Sequence, residues 1–154
     1  MSNNKAILAP VAALAILFAA QTPSHAEIVK LTADLTGSAE TPPSASKGSG
    51  TLKGPYDTTT KKLSWTITYS GLTGPVTRAD FHGPAGVGEY GSVKVGVDAP
   101  DGKANQSPIE GSANLTERTE RPLDQVLLSG AFYVNLHTAA HPNGEIRGQI
   151  LTEK

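Results

Sequence analysis

Three histidines stand where a strand or turn would present them: His82, His137 and His141. Asp80 lies two residues before His82, and in a strand that spacing puts carboxylate and imidazole on one face. His137 is on the polar side of a second alternating run, so the two sets of side chains meet if their strands are neighbours. Neutral imidazole nitrogens and carboxylate oxygens are ligands for copper(II) or zinc(II), and a mixed nitrogen and oxygen site needs no cysteine. The chain has no cysteine, which excludes thiolate metal sites, cysteine nucleophiles and disulfides. His137-x-x-x-His141 is not the helical pair of a zinc helix, because Pro142 follows it and the flanking pattern is that of a strand. His141 would instead be a turn ligand folding back. The competing reading is structural: His82 and His137 would hydrogen-bond loop backbone and hold a glycine-rich loop in place.

Other constellations fail on residue type or spacing. There is no Gly-x-Ser-x-Gly elbow, and Glu40, Glu89, Glu110 and Glu145 are too scattered to nominate a glycosidase pair. The stretch from Gly83 to Gly91 holds four glycines, but no Lys-Ser/Thr and no helix follow, so it is no phosphate cradle. Asp98 and Asp101 read as a solvated turn rather than a calcium site. Arg147 is expected to pair with Glu145 or another carboxylate rather than to attract an anion, and Arg78 with Asp80 as a surface ion pair. Asn114-Leu115-Thr116 is a formal glycosylation sequon. The expectation is a protein that binds rather than catalyses.

The elements that must position these residues are strands. Phe132, Val134 and Leu136 alternate with Tyr133, Asn135 and His137, and Ile146, Gly148 and Ile150 alternate with Glu145, Arg147 and Gln149. Pro142-Asn143-Gly144 reverses the chain between them, giving a half-buried hairpin with one apolar face and one polar face. Further strands are expected over 28–36, 51–56, 62–69, 76–82, 93–97 and 109–116, with Pro55 arguing for an edge or a bulge in its strand. Prolines 42 and 43 mark a loop, and Pro100-Asp101-Gly102 marks a turn. One short helix, roughly 117–128, would carry Pro122 near its start and stop at Gly130. The pattern predicts a single antiparallel β-sandwich of about seven or eight strands.

Composition narrows the setting. Sixteen glycines and eleven prolines without helical periodicity fit an all-β domain, and a formal charge of −1 without a basic cluster excludes nucleic acid as a partner. Residues 1–26 read as a secretory signal: Lys5, an apolar run from Ile7 to Ala20, then Ser24-His25-Ala26 at the cleavage position. Cleavage leaves a domain of residues 27–154, secreted or periplasmic, with no membrane association.

Three segments together resemble the CHRD domain, a module named after chordin and also found alone in exported bacterial proteins. They are Ala39-Glu40-Thr41-Pro42-Pro43, then Ala79-Asp80-Phe81-His82-Gly83-Pro84-Ala85, then Phe132 to Thr138 running on through Pro142 to Gln149. The resemblance implies an immunoglobulin-like β-sandwich, distantly similar to Cu/Zn superoxide dismutases. Many family members carry His-x-His-Gly-Pro-Ala where this chain has Asp80-Phe81-His82-Gly83-Pro84-Ala85, and His141 is an extra histidine. Dismutation is not expected, because a histidine-bridged copper and zinc pair needs more than three imidazoles. The expected role is a non-enzymatic binding module that coordinates copper or zinc. The alternative is an extracellular domain that binds a protein or polysaccharide through the loops at Thr41 to Ser46 and Gly83 to Gly91.

Overall fold

The computed structural model describes residues 27–97, 106–116 and 121–153. Residues 1–26, read above as a signal, together with Asp98, Pro100-Asp101-Gly102 and the expected helix start at 117–120, lie outside the described residues. The strands are β1 (Ile28–Thr36), β2 (Ser49–Asp57), β3 (Lys62–Ser70), β4 (Val76–Gly83), β5 (Ser92–Gly96), β6 (Ile109–Asn114), β7 (Tyr133–Thr138), β8 (Ile146–Gln149) and β9 (Leu151–Thr152). The single α-helix among the described residues, α1 (Leu123–Leu128), follows Pro122 and buries Leu123, Val126 and Leu127.

The strands join in one hydrogen-bonded path, β5-β4-β7-β8-β1-β2-β3-β6, with β9 also paired to β1. Every pairing is antiparallel. The path folds over on itself. Trp65 of β3 and Phe81 of β4 stand near opposite ends of it, yet their rings meet edge to face at 4.9 Å. The result is an all-β antiparallel sandwich. Leu31, Ala33 and Leu35 of β1, Leu63, Trp65 and Ile67 of β3, and Val134 and Leu136 of β7 fill the space between the layers. Each fully buried leucine or isoleucine contributes about 1.5–3 kcal/mol.

Two expectations are corrected. Pro55 marks neither an edge nor a bulge, for β2 lies between β1 and β3 and the β2–β3 register is the same on either side of it. The central position is tolerated because the β2–β3 ladder runs from Lys53↔Thr66 to Tyr56↔Leu63 and skips Gly54 and Pro55, where proline has no N–H to offer. Nor is the β7–β8 hairpin half-buried, with its polar face left open. All six residues of β7 are buried, as are Glu145 and Arg147. The loops 37–48 and 83–91 fold across that face and accept hydrogen bonds from it, so it forms a second, polar interior.

A bulge aims β4. The register against β7 shifts between Val76 and Arg78. Strict alternation would put Val76, Arg78 and Asp80 on one face. The shift lets Val76 enter the apolar core with Ala79 and Phe81, while Arg78, Asp80 and His82 share the polar face with Tyr133, Asn135 and His137.

Candidate metal centre

β4 and β7 are neighbours, paired Arg78↔His137, Asp80↔Asn135 and His82↔Tyr133. His137 is therefore diagonal to Asp80, which brings its Nε2 to 3.6 Å from Asp80 Oδ2, while His82 Nε2 lies 4.0 Å from the same oxygen. Ligand atoms of Asp80, His82 and His137 all fall within 4.8 Å of one another, and among the described residues this is the one such cluster of three. All three residues are buried. Ligands on a tetrahedral ion with bonds of about 2.0–2.2 Å stand roughly 3.3–3.6 Å apart, so small side-chain adjustments close this set around an ion.

The rings are oriented from behind. His82 Nδ1 lies 3.0 Å from Gly91 O, and His137 Nδ1 lies 3.0 Å from Pro142 O. A carbonyl only accepts, so Nδ1 carries the proton in each ring and Nε2 turns its lone pair toward Asp80. Close approach of the 83–91 loop to β4 makes the first contact: a Cβ on Gly91 would sit 2.8 Å from the backbone of Gly83. His82 stacks on Tyr133 with ring centroids 4.8 Å apart. Burial, aided by the nearby Arg78 charge, pushes His137 below the usual histidine range despite the opposing Pro142 carbonyl and Asp80 charge. The ring is thus held in its ligating, neutral form.

What the cluster lacks is donors. Buried His82 Nε2 and Asp80 Oδ2 have no hydrogen-bond partner. Arg78 Nε comes within 2.7 Å of Asp80 Oδ2, a charge contact without hydrogen-bond geometry. His137 Nε2 faces Asn135 Oδ1 at 3.1 Å, lone pair to lone pair, with Arg78 Nη2 at 3.4 Å. Reversing the Asn135 amide relieves that one contact; nothing comparable relieves His82 Nε2 or Asp80 Oδ2. Two imidazoles and a carboxylate, with two atoms lacking a hydrogen bond, form a group that could hold a metal ion.

The cluster opens onto a cleft of about 390 Å³ whose lining includes Glu40, Arg78, His82, Asn135, His137 and Arg147. A second cleft, of about 400 Å³ over β1, β2 and β3, has Asp34, Thr36, Thr51, Thr68 and Tyr69 in its lining and no histidine. Glu40 is buried, its Oε1 is unpartnered, and burial raises its carboxyl to about 7 against the opposing pull of Arg147 and a bond to Asn135. Its carboxylate packs on Gly144, where φ is +127° and a Cβ would come within 2.5 Å of Glu40 Oε1, so the turn needs glycine on both counts.

The site residues read from sequence separate here. Asp80, His82 and His137 converge, whereas His141 stays in the turn after β7, outside the cluster, where its N–H and carbonyl bond Thr138. Arg78 does pair with Asp80, but as a half-exposed cation over a buried carboxylate rather than a surface pair. Arg147 does not pair with Glu145. It lies 3.5 Å over the Tyr133 ring and donates to Glu89 O, Gly86 O and Thr41 Oγ1. Glu145 turns the other way and accepts from Ser46, Thr73 and Thr138. Glu40 was missed as a cleft residue, because nothing in an isolated Glu-Thr-Pro-Pro loop signals burial.

The sequence profile of the CHRD domain matches residues 31–150. The chain belongs to the CHRD domain family. In this CHRD domain the matched region contains the whole Asp80–His82–His137 cluster and both loops that cover it. No curated protein and no solved structure matches the chain.

Proposed function

We propose that this CHRD domain is an exported, non-enzymatic module that binds one copper(II) or zinc(II) ion. Asp80 Oδ2, His82 Nε2 and His137 Nε2 are the ligands, and the cleft supplies the open side. The observation that carries the reading is buried His82 Nε2, which has no hydrogen-bond partner, facing buried Asp80 Oδ2, which has only the Arg78 charge contact; strand pairing and the His82 Nδ1–Gly91 carbonyl bond hold the two toward each other. Unsatisfied buried lone pairs are costly, and a metal ion resolves the cost. Lys5, the apolar run from Ile7 to Ala20 and Ser24-His25-Ala26 support export.

The test is elemental analysis of protein purified without a histidine tag, followed by copper(II) and zinc(II) titration. About one equivalent is expected, with affinity tighter than roughly micromolar and a melting temperature raised by the ion. His82→Ala, His137→Ala and Asp80→Asn should each weaken binding by about a hundredfold or more, since losing a group that merely orients a metal ligand already costs about 10–100-fold. Equal affinity in the three variants would remove these residues as ligands.

A second reading is favoured by one surface. Val87 and Tyr90 are 81% and 70% exposed on the 83–91 loop beside the cleft, a placement suited to contact with an extracellular protein or polysaccharide. That reading expects co-purification with a partner and indifference to chelators.

A further inference from the structure

We infer that Arg78 is a displaceable counter-cation that occupies the metal centre when no ion is present, an inference that rests on the metal-binding reading above. Its Nε lies 2.7 Å from Asp80 Oδ2 and its Nη2 3.4 Å from His137 Nε2. Those are two of the three ligand atoms. A buried carboxylate without a counter-charge is strongly disfavoured, and Arg78 supplies that charge from the cleft side.

The side chain is built to leave. It is 51% exposed while the Asp80 side chain it covers is 7% exposed. No other hydrogen bond or ion pair holds it among the described residues, in contrast to Arg147, which has three hydrogen bonds and an aromatic face. A guanidinium stays protonated at any working pH, so it cannot yield by losing its proton. It yields only by swinging into solvent, which its long stem permits without moving β4. A divalent ion and the guanidinium repel and compete for the same lone pairs, so Arg78 sets the affinity and keeps the empty site charge-balanced.

The experiment titrates copper(II) and zinc(II) into wild type, Arg78→Gln and Arg78→Lys, with melting curves on the same samples with and without ion. Arg78→Gln is expected to bind roughly tenfold tighter, since a charge-assisted contact no longer has to be broken. Arg78→Lys keeps the competing charge and should stay near wild type. Without ion, Arg78→Gln should melt lower than wild type, and saturating ion should erase the difference. Equal affinity in all three proteins, each shown to be folded by its melting curve, would overturn the role of Arg78 while leaving the three-ligand site standing. No binding by any of them, Arg78→Gln included, would overturn the site itself and the counter-cation with it.

Discussion

Glu145 and Asp80 are both buried carboxylates, 0% and 5% exposed, and the protein treats them in opposite ways. Glu145 accepts four hydrogen bonds of 2.6–2.7 Å, from Ser46 Oγ, Thr73 N, Thr73 Oγ1 and Thr138 Oγ1. Burial alone would raise its carboxyl, but these donors hold it at about 2. Asp80 Oδ2 has only the undirected Arg78 charge contact, with two imidazole lone pairs close by. The difference separates architecture from chemistry. A saturated carboxylate ties the 44–46 segment, the 71–74 turn and the β7–β8 turn together, whereas an under-satisfied one keeps lone pairs available for a ligand.

Carboxylate-to-amide substitutions sharpen this contrast because they change charge with little change of shape. The largest effect is expected for Glu145→Gln, a loss of about 3 kcal/mol at pH 7 in urea unfolding, with metal affinity unchanged. The folded-state value lies below the unfolded one, so in wild type this stability is present above pH 4.5 and is lost as pH falls toward 2. The variant should show no such slope. Glu40→Gln should act with the opposite sign. Its folded-state value, about 7, lies above the ordinary 4.5, so the stability it contributes is present below pH 4.5 and lost as pH rises to 7. The variant should be more stable than wild type by roughly 2 kcal/mol at pH 8 and equal to it near pH 4; an unchanged slope would mean that Glu40 titrates normally. The smallest effect is expected for Asp80→Asn, whose metal-free stability should stay within about 1 kcal/mol of wild type. A loss as large as that of Glu145→Gln would make Asp80 another structural carboxylate and collapse the comparison.

Local pattern carried much of this arrangement. Alternation is a property of neighbouring residues, so the apolar face of β1, the Leu63–Trp65–Ile67 face of β3 and the shared face of Asp80 and His82 are legible from the sequence. That β4 lies beside β7, more than fifty residues away, is a tertiary fact that periodicity does not encode, and the convergence of His137 on Asp80 depends on it. The same holds for the polar face of β7, which looks solvent-facing until two distant loops close over it. Arg147 shows why: its partners are the carbonyls of Gly86 and Glu89, and main-chain acceptors leave no signature in residue type. Pro55 misled for a related reason, since only the ladder itself shows that its missing N–H falls at a gap.

The dependence of both loops on Arg147 also sets an order of assembly. Thr41 and Glu89 leave the ribosome 106 and 58 residues ahead of the guanidinium that holds them. At roughly 5–20 residues per second, the walls of the cleft wait several seconds for β8 before they can close. Asp80 and His82 emerge well before His137, so a nascent chain presents only part of the ligand set. The three-residue cluster is therefore complete only in the finished protein, in whichever compartment folding is completed.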